Sequence, residues 1–294
     1  MHWNKITLVG VGLLGGSLGL AIKRRRLARE VAGYVRRPAS MKECADVGAV
    51  DYATTDLLAA VWNADLVVLC TPIGQMRVLS MQMLPALKRG AIVTDVGSVK
   101  ASVVRELQAL FAKAGVHFVG SHPMAGAEKT GVAAAQADLF ANAACVVTPT
   151  RRTPKSALWK VGQFWKSVGC RVMTLSPEVH DQLVSRSSHL PHLVAATLAG
   201  HVLRPGQREE LAALCANGFR DTTRIASGSP EMWRDIARAN RKHLRVALDE
   251  FVRELQRVQA ILRRKDVEDL AQLFETAKAR RDAWCSRCAS PSPE

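Results

Sequence analysis

Four short stretches carry side chains that can move a proton or hold an anion. GSHPMAGAEKTG (120–131) sets His122 beside a proline among glycines and alanines. A neutral imidazole there can accept the proton of an alcohol while hydride leaves the same carbon. Pro123 disfavours helix at the residue before it, so His122 stays extended. DVGSVK (95–100) offers Ser98, either to orient that imidazole or to cap the helix that follows, and one hydroxyl can serve both ends. SHLPH (188–192) carries His189 and His192 three residues apart on one helix face, as substrate contacts or as satisfied helix histidines. GFRDTTRIASGSPEMW (218–233) carries Arg220 and Arg224 four apart, again on one face. Arg224 reads as an anion anchor or a structural ion-pair partner, and Arg220 as a second anchor or a solvated side chain.

Hydride needs an acceptor, and the N-terminal stretch GVGLLGGSLG supplies a place for one. Gly10, Gly12 and Gly15 fit G-x-G-x-x-G at a turn from strand into helix. Without side chains, that turn lets a pyrophosphate reach the helix N-terminus and its unpaired amides. Leu13 and Leu14 complete the loop, and Thr71 and Pro72 reach the same sheet edge from a later strand. Roughly 20 residues past such a loop, NAD-binding proteins place an acidic residue on the ribose hydroxyls. Here Val35 stands at that position, followed by Arg36 and Arg37. A carboxylate repels a 2′-phosphate and guanidinium groups grip one, so NADP is the expected cofactor, with NAD possible.

The elements that must position these residues follow from the apolar runs. KITLVGVG (5–12), VAGYV (31–35), LVVLCTP (66–72), AIVTDV (91–96), VHFVGS (116–121), ACVVTP (144–149) and CRVMTL (170–175) read as strands. Helical patterns lie between them, notably SLGLAIKRRRL (17–27) and VKASVVRELQALFAKAG (99–115). Such alternation predicts parallel pairing through right-handed crossovers, an α/β, Rossmann-type doubly wound sheet. Past Leu175 the strand signals stop. Residues 178–203 read as helical behind Pro177 at a first-turn position. From Met232 to Leu262 one apolar stripe marks a single long helix, with a last helix over Val267–Trp284. The expected domains are 1–175, nucleotide-binding, and 176–294, an all-helical substrate and dimerisation domain. A striped helix in a small helical domain predicts a homodimer, against intramolecular packing.

Composition sets outer limits. Formal net charge is +15, which draws anions of any kind. Aromatic residues are only 5%, and no basic–aromatic signature occurs, so KRRRLAR (23–29) reads as a solvated helix end and no nucleic-acid partner is expected. Seven cysteines at irregular spacing argue against a disulfide framework and for a reducing compartment. The terminal Cys285 and Cys288 have no second pair, so no metal is expected. Residues 6–22 are apolar, but five glycines interrupt them and the heaviest positive charge follows, which favours a strand-turn-helix over an export signal. No membrane association is expected, and the predicted location is cytoplasmic.

Taken in order, GVGLLGGS (10–17), CTP (70–72), DVGSVK (95–100), HPMAGAE (122–128), SHLPH (188–192) and GFRDTTRIASGSPEMW (218–233) resemble the motifs of the prephenate/arogenate (cyclohexadienyl) dehydrogenase family of tyrosine biosynthesis. The resemblance spans nearly the whole chain. It implies a nucleotide-binding domain, a helical dimerisation domain, and oxidative decarboxylation of prephenate or L-arogenate. It also implies that His122 is the catalytic histidine, that Ser98 is its neighbour, that Arg224 holds a substrate carboxylate, and that His189 and His192 line the substrate pocket. Val35 departs from the acidic residue of many members. Two other readings stand beside this one: an NADP-dependent 3-hydroxy acid dehydrogenase, and a non-catalytic NADP-binding redox sensor.

Overall fold

The computed structural model describes residues 2–126, 129–206, 208–264 and 267–289. Ala127 and Glu128 of HPMAGAE, and the Cys288 side chain, lie outside the described residues. Strands β1 (Trp3–Val9), β2 (Ala28–Tyr34), β3 (Tyr52–Thr54), β4 (Leu66–Leu69), β5 (Ile92–Asp95) and β6 (His117–Phe118) form one sheet. Its order is β3-β2-β1-β4-β5-β6 and every pair is parallel. Helices α1 (Leu13–Arg24), α2 (Pro38–Val47), α3 (Leu57–Val61), α4 (Ile73–Met83) and α5 (Ala101–Ala112) alternate with them. All four residues of β4 and of β5 are buried, as befits strands covered on both faces. Alternate residues enter separate apolar layers: Leu66 and Val68 join Leu18, Ile22 and Trp165, while Val67 and Leu69 join Met76, Leu107 and Phe111. The crevice at the β1/β4 reversal opens beyond the carboxyl ends of the strands, where ligands of such sheets lie.

The later strands depart from the expected continuous series. VHFVGS splits at Val119. β7 (Gly120–Pro123) leaves the first sheet and pairs antiparallel with β8 (Ala144–Thr148), which pairs parallel with β9 (Arg171–Thr174). Helix α6 (Lys155–Val168) makes the β8–β9 crossover. Gly120 permits the transfer: a Cβ there would meet Thr148 Oγ1 and a Val104 methyl at 2.6 Å. β3 lacked a sequence signal because it is three residues long.

The remaining helices are α7 (Pro177–Val184), α8 (Leu190–Val202), α9 (Glu209–Ala213), α10 (Asn217–Thr223), α11 (Pro230–Ala239), α12 (Arg241–Arg264) and α13 (Val267–Ala289). α7 begins as its sequence predicts, with Ser176 accepting from the Val179 N–H and Pro177 in the first turn. It runs through a π-helical turn, Ser185–His189, into α8. The single helix expected over 232–262 is two. Asn240 leaves helical geometry (φ −105°, ψ 25°), and its amide donates to the Asp181 carbonyl at 2.8 Å. Packing divides the chain into two compact units between Leu244 and Arg245, so α7 to α11 share the first unit with both sheets. In the second unit Leu255, Leu262, Phe274 and Trp284 are exposed. Among the described residues no helix is long and apolar enough to cross a membrane.

Candidate active site

The glycine loop sits where β1 turns into α1. Gly10 has φ +96°, a conformation L side chains rarely adopt. A Cβ on Gly15 would lie 2.1 Å from the Gly10 carbonyl oxygen, so α1 can start this close to the strand only with glycine there. Gly12, the N-cap of α1, has nothing within 4 Å of its Cβ direction. It faces two adjoining cavities. One, about 380 Å³, is lined by Gly10, Gly12, Val35, Arg36, Arg37 and Ser40, with Glu231 as its carboxylate. The other, about 330 Å³, is lined by Leu13, Leu14, Ser98, Ala125, Gly126 and Lys129. Thr71 and Pro72 line both, and the Thr71 hydroxyl is buried without a hydrogen-bond partner among the described residues. A cradle that Cβ atoms would fill, an uncapped helix N-terminus and an unpartnered hydroxyl suit a dinucleotide.

A third cavity, about 390 Å³, shares Gly228 and Ile236 with the second and is lined by His189, His192, Leu193, Trp233 and Arg234. His192 stacks on Trp233, with ring centroids 3.4 Å apart. His189 Nδ1 accepts from the Asn240 amide at 3.1 Å, and its buried Nε2 makes no well-formed hydrogen bond among the described residues. Burial first, then the neighbouring His180 and His192, push His189 down to about 4, with Asp181 and the backbone of Ser98 opposing. Arg220, on α10, and Arg224, just past its end, are both exposed and line none of these three cavities.

His122 lies on β7, three residues before Ala125 of the second cavity, with 7% exposure. Its Nδ1 is 2.8 Å from Nε2 of His180, whose Nδ1 is 2.8 Å from Asp181 Oδ1. The hydrogen bond expected from Ser98 is absent: Ser98 lines the second cavity, and His180 holds the imidazole instead. Nor does Ser98 cap α5. Asp181 does so from α7, accepting from the Lys100 and Ala101 N–H groups at 2.7 and 2.9 Å, where the helix dipole favours an anion. Beneath His122, the Lys100 ammonium and the Asp95 carboxylate form a fully buried ion pair. Asp95 also accepts from the N–H groups of Gly97 and Ser121. Burial first, then His180, Lys100 and His189, hold His122 well below the ordinary histidine range, so it is neutral at pH 7.

Three residues of this site went unread in the sequence. Lys129 belongs to the glycine-rich stretch already singled out, and its charge beside the loop was the available signal. His180 and Asp181 had a weaker one, an adjacent His-Asp pair in the first turns of a helix. Val179 and Leu183 disguised it, because their i, i+4 spacing suggests the buried face. The structure turns α7 the other way, exposing Val179 (41%) and Leu183 (51%) and burying His180 and Asp181.

Residues 18–174 match the family model described as prephenate dehydrogenase, nucleotide-binding domain, and residues 176–276 match prephenate dehydrogenase, dimerization domain. The prephenate dehydrogenase of Bacillus subtilis is 36% identical over 95% of this chain and 76% of its own length. The cyclohexadienyl dehydrogenase of Zymomonas mobilis is 34% identical over 95% of both. A crystal structure of the Aquifex aeolicus prephenate dehydrogenase with hydroxyphenyl propionate and NAD+ superposes with a TM-score of 0.90, at 33% identity over 96% of this chain and 99% of that one.

Proposed function

The chain belongs to the prephenate dehydrogenase family of nicotinamide-dependent oxidoreductases, and from that premise we propose that it oxidises and decarboxylates prephenate or L-arogenate, with His122 as the base. The observation that carries the assignment of the base is the neutral, almost buried imidazole three residues from the wall of the dinucleotide cleft. Membership sets aside the 3-hydroxy acid and sensor readings, since the relatives are cyclohexadienyl acid dehydrogenases.

The substrate's ring hydroxyl sits on the carbon that gives up hydride. A bound nicotinamide dinucleotide supplies the hydride acceptor. His122 takes the hydroxyl proton, and loss of carbon dioxide restores an aromatic ring, which supplies the driving force. A placed base contributes roughly 10²–10⁴ in rate. Ser98, on the same wall as the cofactor loop, is proposed as a second polar contact at the reacting end. The cavity of His189 and His192 is the proposed seat of the substrate. Arg224 and Arg220 are proposed carboxylate anchors on the strength of the motif alone. The domains proposed are those of the sequence, 1–175 for nucleotide and 176–294 for substrate and dimerisation.

NADP is the proposed cofactor. Arg36, Arg37 and Ser40 line the cavity at the end of β2, and Val35 leaves the strand itself without a carboxylate there, Glu231 reaching the same cavity from α11. The match to a dimerization domain and the exposed apolar residues of α12 and α13 support a homodimer. Six free cysteines among the described residues suit a reducing, cytoplasmic setting. Steady-state kinetics on prephenate and L-arogenate, each with NADP and NAD, tests the reading. Reduced cofactor forms with at least one substrate if it holds, and no turnover in all four combinations overturns it.

A further inference from the structure

His180 is buried on α7 although apolar residues of the same helix face outward, and its two ring nitrogens link His122 to Asp181. The hydrogen-bond arithmetic of that chain is determinate. Asp181 Oδ1 already accepts from the Lys100 N–H, and an ionised carboxylate only accepts. It therefore requires the His180 proton on Nδ1. Neutral His180 then presents a lone pair at Nε2, so the 2.8 Å contact to His122 makes His122 Nδ1 the donor. The lone pair of His122 falls on Nε2, which makes no hydrogen bond among the described residues and is not among the buried unpartnered atoms.

We propose that His180 and Asp181 are positioning residues that fix His122 as the Nδ1–H tautomer, leaving Nε2 as the atom that receives the substrate proton. This rests on His122 being the base. In the step, the substrate O–H bond breaks and a bond from that hydrogen to His122 Nε2 forms. The electron pair left on oxygen becomes the carbonyl as hydride departs to the cofactor. His122 keeps its proton on Nδ1, and the bond to His180 becomes charge-assisted and shorter as imidazolium forms. No proton travels to Asp181. Its carboxylate holds the chain in register while tying it to the N-terminus of α5.

The test combines three variants with one spectrum. His180→Leu removes the acceptor at similar bulk, and His180→Gln restores one through its amide oxygen. The expected result for His180→Leu is a kcat loss of about 10²-fold, within the range a placed base contributes, with the prephenate KM changed less than threefold, by ~0.6 kcal/mol at most. His180→Gln recovers about tenfold of that loss. ¹⁵N NMR of histidine-labelled wild-type protein shows His122 protonated at Nδ1 and unprotonated at Nε2. The proposal is overturned by the opposite tautomer in the wild type, by unchanged kcat in His180→Leu, or by equal losses in both variants with matching falls in Tm. His122→Asn separates the two readings. Near-normal turnover there removes the base assignment itself, whereas a large loss there with none in His180→Leu removes only the positioning role.

Discussion

Replacing Lys100 with methionine deletes a charge from a side chain of similar length at a point where neither it nor Asp95 reaches solvent. Asp95 keeps its two backbone donors, from Gly97 and Ser121, but its counter-charge is gone. Breaking a buried pair by removing one partner costs about 3–5 kcal/mol, a large part of the roughly 5–15 kcal/mol that holds a domain together. With a urea dependence of about 2–3 kcal/mol per molar, the unfolding midpoint falls by about 1–2.5 M. Adding Asp95→Asn removes the stranded charge and leaves an amide oxygen to accept one of the two N–H groups. The double variant is therefore expected to unfold at higher urea than Lys100→Met alone. Lys100 also helps hold the His122 pKa down, so in Lys100→Met the acid limb of kcat/KM moves to higher pH. Urea titrations of the wild type, both single variants and the double, with one pH profile, check all of this. A midpoint shift below about 0.3 M, under ~1 kcal/mol on the same slope, refutes the reasoning. So does a double variant as weak as the two singles added together.

The glycine loop separates binding from folding. Gly12→Ala is expected to keep wild-type Tm while cofactor KM rises at least about tenfold, because nothing in the protein occupies that space. Gly15→Ala drives a methyl onto the Gly10 carbonyl and is expected to lower stability by about 1–3 kcal/mol as well, read by urea unfolding. Arg36→Ala and Arg37→Ala are each expected to raise the NADP KM by about tenfold and leave the NAD KM unchanged, since a charged hydrogen bond is worth roughly 1.5–3 kcal/mol and these side chains are exposed. Equal changes for both cofactors would reject the 2′-phosphate assignment. Stability should also fall in acid. His122, His180 and His189 all have folded pKa values below the unfolded histidine value, so the unfolded chain binds more protons as pH drops. Their contribution is complete above about 6.5 and is lost on acidification at up to about 1.4 kcal/mol per pH unit each. For His189, at about 4, the loss reaches roughly 3 kcal/mol by pH 4. Urea midpoints that stay flat from pH 7.5 to 5 would contradict this.

The first sheet was legible because parallel strands buried on both faces leave unbroken apolar runs, as LVVL does in β4, and because the glycine loop is local chemistry written in adjacent residues. The transfer of β7 to a second sheet was not. Gly120–Pro123 reads the same whichever neighbour it pairs with, and the choice rests on Thr148 and Val104, far along the chain. Asn240 breaks a helix inside a correct apolar stripe for a similar reason. Its amide is claimed by Asp181 and His189, 59 and 51 residues away. Within the site, His122 was found by its local proline and glycines, whereas its partner was hidden by a helix that buries its polar pair. Arg224 was singled out from its motif and stands exposed in this chain.

One residue, Val119, separates β6 from β7, and its N–H still donates to Val93 of the parallel sheet. The imidazole proposed as the base is thus riveted where two hydrogen-bonded sheets meet, while the walls of the cavity proposed for the substrate are helical. On that reading, selection can remodel those walls, trading one cyclohexadienyl acid for another, without moving the proposed base.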